Sequence, residues 1–572
     1  MLIDVAVPEM AVDVLTYEAE ADLPEGSRVI VEVQNSLHAG LVLARSERET
    51  VSTKPIAGVI DARMMFDPDL WDLAVWCGEV SLRGINTALR YVLPRSLWMG
   101  EKLDAPPDLD ENAGTFREVH NFNPFDHERV NFYVSELEKP ERALVLFPSR
   151  EKASEFYASL PESLKAEAFL WYSLQDWEDW QKVNSKHFRI VIGSAGAVFA
   201  PLCPQKIIVD DEASSSYILP NTLRLSARSL AGRRALFLGA TLILGGNIPS
   251  LKTYMRSRPK QTVKPERSQL IIADIYTSRK EEAHGIDGSI PLTFSLVRRS
   301  YQELTKGHNV LWILSRKGES LEVYCPDCGH ILRCEKCGGI MRSVSGGEML
   351  KCRMCGHLAE LPAVCPKCRH GTFRGRRPGI EALFRIVSRY YPKVKLYVDG
   401  MDSSRMKGLV LSGHKGLGLL ESMKPSLVAW LDLDAELSGE GYDVRYRVFS
   451  MLCSSMYSGV KSPSERKVLV QTRSRGRKFC EYLLRGWERF LNDELKAREE
   501  FMMPPCGYMI EIDSGGKITR ETIIDILEDN GLFVMDPGDE TQPLYVLTDS
   551  LSETAGVLAP YRRMLRITVR SE

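Results

Sequence analysis

The chain has 572 residues, with 74 Lys and Arg against 76 Asp and Glu, a formal net charge of −2, and 44% apolar and 26% charged residues. That length predicts about three to five domains of ordinary globular composition. No stretch approaches the ~20 continuous apolar residues of a membrane span, and the start, Met1 to Val5, lacks the basic and apolar regions of a signal peptide. A cytoplasmic protein is therefore expected, and near-zero net charge excludes a uniformly basic nucleic-acid binder but not local basic patches.

Residues 1–105 read as a small β-rich domain, because 26–33 alternates apolar and polar and 41–43 starts a second strand. Residues 70–76 then carry apolar positions at helical spacing. Residues 104–112 are acidic and Pro-containing, a linker pattern. From 106 to 308 short apolar runs alternate with polar helical stretches, at 143–147, 189–192, 206–209, 235–238 and 269–273. Buried parallel strands between helices have this pattern, so an α/β lobe is predicted. A second α/β lobe comprises 309–321 and 373–478, with strands at 309–314, 394–398, 427–431 and 467–471, and it is interrupted by 322–372. Residues 479–572 open with a helix bearing Phe479, Leu483, Trp487, Phe490, Leu491 and Leu495 on one face and continue as a small α+β domain. The fold class expected is multidomain α/β.

The interruption is chemically the most specific part of the chain. Eight of the thirteen cysteines fall between Cys325 and Cys368, as the pairs Cys325/Cys328, Cys334/Cys337, Cys352/Cys355 and Cys365/Cys368. Two thiolates at Cys-x-x-Cys spacing can face one ion, and two such pairs complete a tetrahedral zinc site. Gly329, Gly338 and Gly356 directly follow second cysteines, which suits a tight turn. A disulfide framework is the competing reading, disfavoured where thiols stay reduced. Eight thiolates imply two Zn²⁺ ions, leaving His330, His357 and His370 as surface residues. The gap between Cys337 and Cys352 favours an inner site of Cys334, Cys337, Cys352 and Cys355, with Cys325, Cys328, Cys365 and Cys368 forming an outer one. Nesting makes the segment one compact insertion with adjacent ends.

Two α/β lobes with such an insertion suggest a nucleic-acid motor, yet the phosphate chemistry is missing. No Gly-rich loop ends in Gly-Lys-Ser/Thr. Residues 124–134, where it should lie, contain neither Gly nor Lys. Asp210-Asp211-Glu212-Ala213 ends an apolar strand, where a motor holds Mg²⁺, but strand-ending acids are also common in turns. Between Arg447 and Arg466, where transition-state arginines belong, there is none. No catalytic or nucleotide-binding residue is assigned.

These features together resemble the PriA family of replication-restart helicases, primosomal protein N′, over nearly the whole chain. The cysteine array carries the match best. Residues 307–318, 193–202, Gly239-Ala240-Thr241 and Pro504-Pro505-Cys506-Gly507 resemble family motifs. Thr16, Tyr17, residues 26–33 and Lys54 are similar to the family's domain binding a DNA 3′ end. The departures are the absent phosphate loop, the acidic box Asp210 to Ala213 in place of Asp-Glu-Glu-His, and Thr16 where the family often has an acid.

The resemblance implies two degenerate helicase-like lobes, a 3′-end-binding N-terminal domain, and a nucleoid-associated protein that recognises forked or branched DNA. Its partners would be primosome and helicase-loading proteins, with single-stranded DNA-binding protein as a further one. The reading is a restart factor without its own helicase activity. The alternatives are an active ATP-dependent 3′–5′ helicase and a zinc-ribbon RNA or transcription factor, which would need more stacking aromatics than Tyr324 and Phe373. Thr16, Tyr17, Lys54, Arg374, Arg376 and Arg377 are the candidate DNA contacts.

Overall fold

The computed structural model describes the chain except residues 11, 48–52, 102, 104–113, 173–175, 220–222, 276–291, 316–321, 326, 344–348, 353–355, 372, 377–379, 399–400, 439–440, 473–474, 514–515, 517, 538–541, 563 and 572. It divides into two compact units. One holds Met1–Asn123, Glu128–Pro259 and Leu495–Glu572, the other Pro124–His127 and Lys260–Glu494.

The first unit begins with a six-stranded sheet in the order Lys54–Pro55, Leu15–Glu18, Leu2–Ala6, Ser36–Arg45, Arg28–Val33, Gly58–Asp61. Ile3, Val5, Tyr17, Val29, Val31 and Val42 fill its core. Arg28–Val33 and Ser36–Arg45 join through Gln34 and Asn35, both at positive φ (47° and 64°). That is the twist a two-residue hairpin loop requires.

A second sheet is wholly parallel, in the order Arg117–Asn121, Thr241–Gly245, Lys206–Val209, Ala143–Leu146, Ile190–Gly193, Ala168–Trp171. Its central strands are buried along their whole length, which is why they read as continuous apolar runs. One such run misleads. Residues 235–238, expected as a strand, end the helix Ala227–Leu238. Ala227, Arg228, Leu230, Ala231, Arg234 and Ala235 are its buried positions, most of them related by spacings of three and four, while Leu236 and Phe237 are exposed. The strand follows at Thr241–Gly245.

The helix Pro68–Val80 joins these two layers. Three acids at its start each meet a base. Lys186 Nζ donates to both oxygens of Asp67 at 2.7 and 2.8 Å. Arg234 Nε donates to Asp69 at 2.6 Å, and Arg233 Nε to Asp72 at 2.7 Å. Arg234 and Asp69 have no exposed side-chain surface.

The last part of this unit is a four-stranded antiparallel sheet, Phe533–Met535, Leu544–Thr548, Tyr508–Asp513, Arg566–Arg570. Its core of Ile510, Ile512, Leu527, Val546 and Ile567 also takes in Leu82. The neighbouring Arg83 guanidinium donates to the Ile567 carbonyl.

The second unit is built on another parallel sheet, Leu270–Asp274, Lys467–Thr472, Leu427–Trp430, Val310–Ile313, Leu409–Ser412, Lys395–Tyr397. Leu270–Asp274, expected in the first lobe, pairs here with Lys467–Thr472. The helix Phe294–Thr305 likewise sends Leu296 into this core. Phe479 and Phe490 pack on Phe449 of the same unit. Between Val310–Ile313 and the helix Ile380–Tyr390 lies a five-stranded antiparallel sheet, Leu358–Glu360, Met349–Cys352, Met341–Ser343, Glu322–Tyr324, Arg374–Arg376. Its first and last strands in sequence, Glu322–Tyr324 and Arg374–Arg376, pair with each other, so the segment leaves and rejoins the lobe side by side.

Candidate functional site

The cysteines gather at two places in this small sheet. The sulfurs of Cys325, Cys328, Cys365 and Cys368 lie within 4.8 Å of one another, as do those of Cys334, Cys337 and Cys352. Cys355 lies outside the described residues. Closest approaches are 3.5 Å for Cys325–Cys368, 3.8 Å for Cys328–Cys365 and 3.4 Å for Cys337–Cys352. A disulfide would need about 2.05 Å. Four sulfurs placed ~2.3 Å from a central zinc are about 3.8 Å apart along a tetrahedron edge, so the spacing suits an ion. Both clusters could hold a metal.

One backbone pattern builds all four cysteine turns. The N–H of Cys325, Cys334, Cys352 and Cys365 donates to the carbonyl five residues on, at His330, Gly339, His357 and His370. Each cysteine carbonyl accepts from the residue four on. That residue is left-handed every time: Gly329 (71°), Gly338 (70°), Gly356 (71°) and Arg369 (66°). His330, His357 and His370 thus contribute a carbonyl to these turns.

In the first unit, the strand Lys206–Val209 delivers Asp210 and Glu212 to the carboxyl edge of its parallel sheet, where α/β proteins place their ligands. Both side chains are buried and already engaged. From the helix Asp126–Leu137, Arg129 Nε donates to Asp210 Oδ1 at 2.8 Å and the Tyr133 hydroxyl to the same oxygen at 2.9 Å. Glu212 accepts from Ser250 N at 2.6 Å and pairs with Arg228 at 3.3 Å. The Tyr133 hydroxyl also lies 1.8 Å from where a Cβ on Gly245 would stand, so only glycine fits there. Burial pushes the Asp210 carboxyl up, but Arg129 and the Tyr133 hydrogen bond outweigh it and hold it below its usual range.

A depressed carboxyl adds stability above its unfolded pKa, about 3.9, and loses it as pH falls through the folded value. Wild type should therefore exceed Asp210→Asn in melting temperature at pH 7, with the gap closing as pH drops below about 4. A gap independent of pH would refute the charged pair.

In the N-terminal sheet, the Thr16 hydroxyl donates to Asp4 Oδ1 at 2.7 Å across a ladder that sets Asp4 opposite Thr16. Tyr17 is buried on the alternate face, its hydroxyl donating to the Glu32 carbonyl at 3.1 Å. Burial, then Glu32, raises its pKa. Lys54 stands opposite Tyr17 and its ammonium lies 3.0 Å from Glu32. Tyr17 and Lys54 therefore come together around Glu32, while Thr16 turns to Asp4. Neither acid is singled out by the sequence, because cross-strand pairing leaves no local signal. Arg374 and Arg376 lie on one strand, and Arg377 is outside the described residues.

Residues 4–94 match the family model described as the PriA 3′ DNA-binding domain (3′BD). The chain is similar in sequence to proteins named replication restart protein PriA. It is 22% identical over 522 residues to the Bacillus subtilis replication restart protein PriA, covering 83% of this chain and 64% of that protein. The Synechocystis PriA is 26% identical, covering 61% and 45%, and the Thermotoga maritima PriA 25%, covering 58% and 47%. Each match spans less than two thirds of the relative's length. Among solved structures, S. cerevisiae Dbp5 bound to RNA and ADP BeF3 aligns with a TM-score of 0.34 at 10% identity, over 75% of this chain and 97% of that one. No helix among the described residues is long and apolar enough to cross a membrane.

Proposed function

We propose that this PriA relative is a DNA-binding restart factor that recognises forked DNA and helps reload the replicative helicase without hydrolysing ATP. One observation carries the last clause. The carboxylate positioned to hold a metal–nucleotide, Asp210, is filled from within by Arg129 and Tyr133. Breaking that buried pair to admit Mg²⁺ would strand the Arg129 charge, a cost of about 3–5 kcal/mol. The absence of a phosphate-cradling loop in 124–134 points the same way.

Two Zn²⁺ ions are assigned to the thiolate clusters: Cys325, Cys328, Cys365 and Cys368 for one, and Cys334, Cys337, Cys352 and Cys355 for the other. Bound there, zinc supplies folding energy, and the residues around it fix the five-stranded sheet. Tyr17, Lys54 and Thr16 are the proposed contacts to a DNA 3′ end, with Asp4 and Glu32 as the groups that orient them. Helicase-loading proteins and single-stranded DNA-binding protein are the proposed partners, at the nucleoid.

The test is ATP hydrolysis with and without forked DNA, with fork binding scored on the same sample. Tight binding without stimulated turnover is the expected outcome. Robust turnover would instead establish the ATP-dependent helicase reading. Equal affinity for forks and unstructured single strands would favour the zinc-ribbon RNA or transcription factor.

A further inference from the structure

The stretch where a phosphate loop would lie begins at Pro124, and the fold puts it to another use. Residues Pro124–His127 belong to the second unit, although Asn123 before them and Glu128 after them belong to the first. The two ends are stapled together on the first-unit side. The Asn123 carbonyl accepts from Arg129 Nη1 at 2.7 Å, and the Asn123 side-chain amide donates to Glu128. Arg129 is itself held by Asp210. The chain thus leaves and rejoins the first unit at one point. Fully extended, four residues span at most about 14 Å, so a strap stapled at its base has little slack.

Inside the second unit the strap is held at its tip. Phe125, 7% exposed, meets Tyr457, 5% exposed, edge to face with ring centroids 5.9 Å apart, a favourable aromatic geometry. Asp126 Oδ2 accepts from the Gly459 N–H at 3.1 Å. Gly459 is left-handed at φ 75°, and a Cβ there would stand 2.7 Å from Glu421 Cα. Only glycine fits, which fixes the amide that Asp126 takes up. Asp126 also faces a buried cation. The Arg466 guanidinium has no exposed surface and donates to the carbonyls of Pro425, Ser458 and Leu420. Burial pushes its pKa down to about 10, against which Asp126, then Glu465 and Glu421, pull it up. Countercharge from the strap offsets part of the cost of burying that cation.

We infer that Pro124–His127 is a strap that completes the second unit and makes its unfolding cooperative with that of the first. The coupling is carried by the chain itself, and it does not depend on the restart reading.

The test is amide hydrogen exchange on the full chain along a denaturant series, read by mass spectrometry. In the wild type, peptides over strands 427–430 and 467–472 should open at the same denaturant concentration as those over 143–146 and 206–209. In Phe125→Ala/Asp126→Ala, residues 455–466 should exchange on the order of tenfold faster or more, because a buried aromatic contact and a hydrogen bond are lost. The second-unit strands should then open at lower denaturant while 143–146 and 206–209 keep their protection. Asp126→Ala alone, at a half-buried position, should separate the two openings more mildly, and it decides the matter if the double variant does not fold. Unchanged exchange over 455–466 in Asp126→Ala overturns the inference, as does a wild type whose two units already open separately.

Discussion

Replacing Arg234 by Met is expected to destabilise the first unit by about 3–5 kcal/mol, as measured by chemical denaturation at pH 7. Arg234 is fully buried, and its guanidinium serves three partners: Asp69, Val198 O at 2.6 Å and Ala200 O at 3.1 Å. Removing it leaves the equally buried Asp69 without its countercharge and two carbonyls short of a donor. A lone buried carboxyl can escape its charge only by taking up a proton. Its folded pKa would then stand above the unfolded one, so the variant's deficit should grow as pH rises. Asp69→Asn should be costly as well, because it strands the buried Arg234 guanidinium, which cannot shed its charge. A cost below 1 kcal/mol for Arg234→Met would mean the pair does not clamp the helix Pro68–Val80 to the parallel sheet.

The second large effect belongs to the cysteines. Among the described residues, the core of their sheet has Val323, Leu332, Cys334, Met341, Leu350 and Cys352 as its buried members. A core of that size cannot sustain a domain alone, so the metal proposed for the cysteine clusters would supply the balance. Apparent zinc binding energies are on the order of 10 kcal/mol and act as folding energy. Cys352→Ser removes a ligand and a core residue together. It should lower zinc from two ions per chain to one and open residues 322–376 to protease, leaving both parallel sheets intact. Metal analysis and limited proteolysis read these outcomes. Two ions retained would refute the inner site.

These two effects differ in how far the sequence announces them. Cys-x-x-Cys turns are local, so the spacing alone names the cysteines, and the glycines after them mark the left-handed corner. Arg369 shows the limit, since it occupies that corner without being glycine. Buried parallel strands are legible as apolar runs, yet the run at 235–238 is helical, because four residues are too few to separate a strand from a helix end. Which sheet a strand joins is not legible either. Leu270–Asp274 pairs with Lys467–Thr472, far along the chain. The same non-locality hides Arg129 behind Asp210 and the acids of 67–72 behind their bases. Loss of a phosphate loop can be read directly, but what fills the site can be known only once the elements are folded together.

The contribution of Leu82 and Arg83 to the C-terminal sheet bears on how the protein is made. The Arg83–Ile567 hydrogen bond joins residues separated by 484 positions. At a translation rate of 5–20 residues per second, about half a minute to a minute and a half passes between their synthesis. Throughout that interval Leu82 lacks the apolar residues it packs against and the Arg83 guanidinium lacks its carbonyl acceptor. Residues 82 and 83 are therefore completed only once the C-terminal sheet has been made, and a chaperone that shields Leu82 during elongation would cover a surface that the folded chain buries.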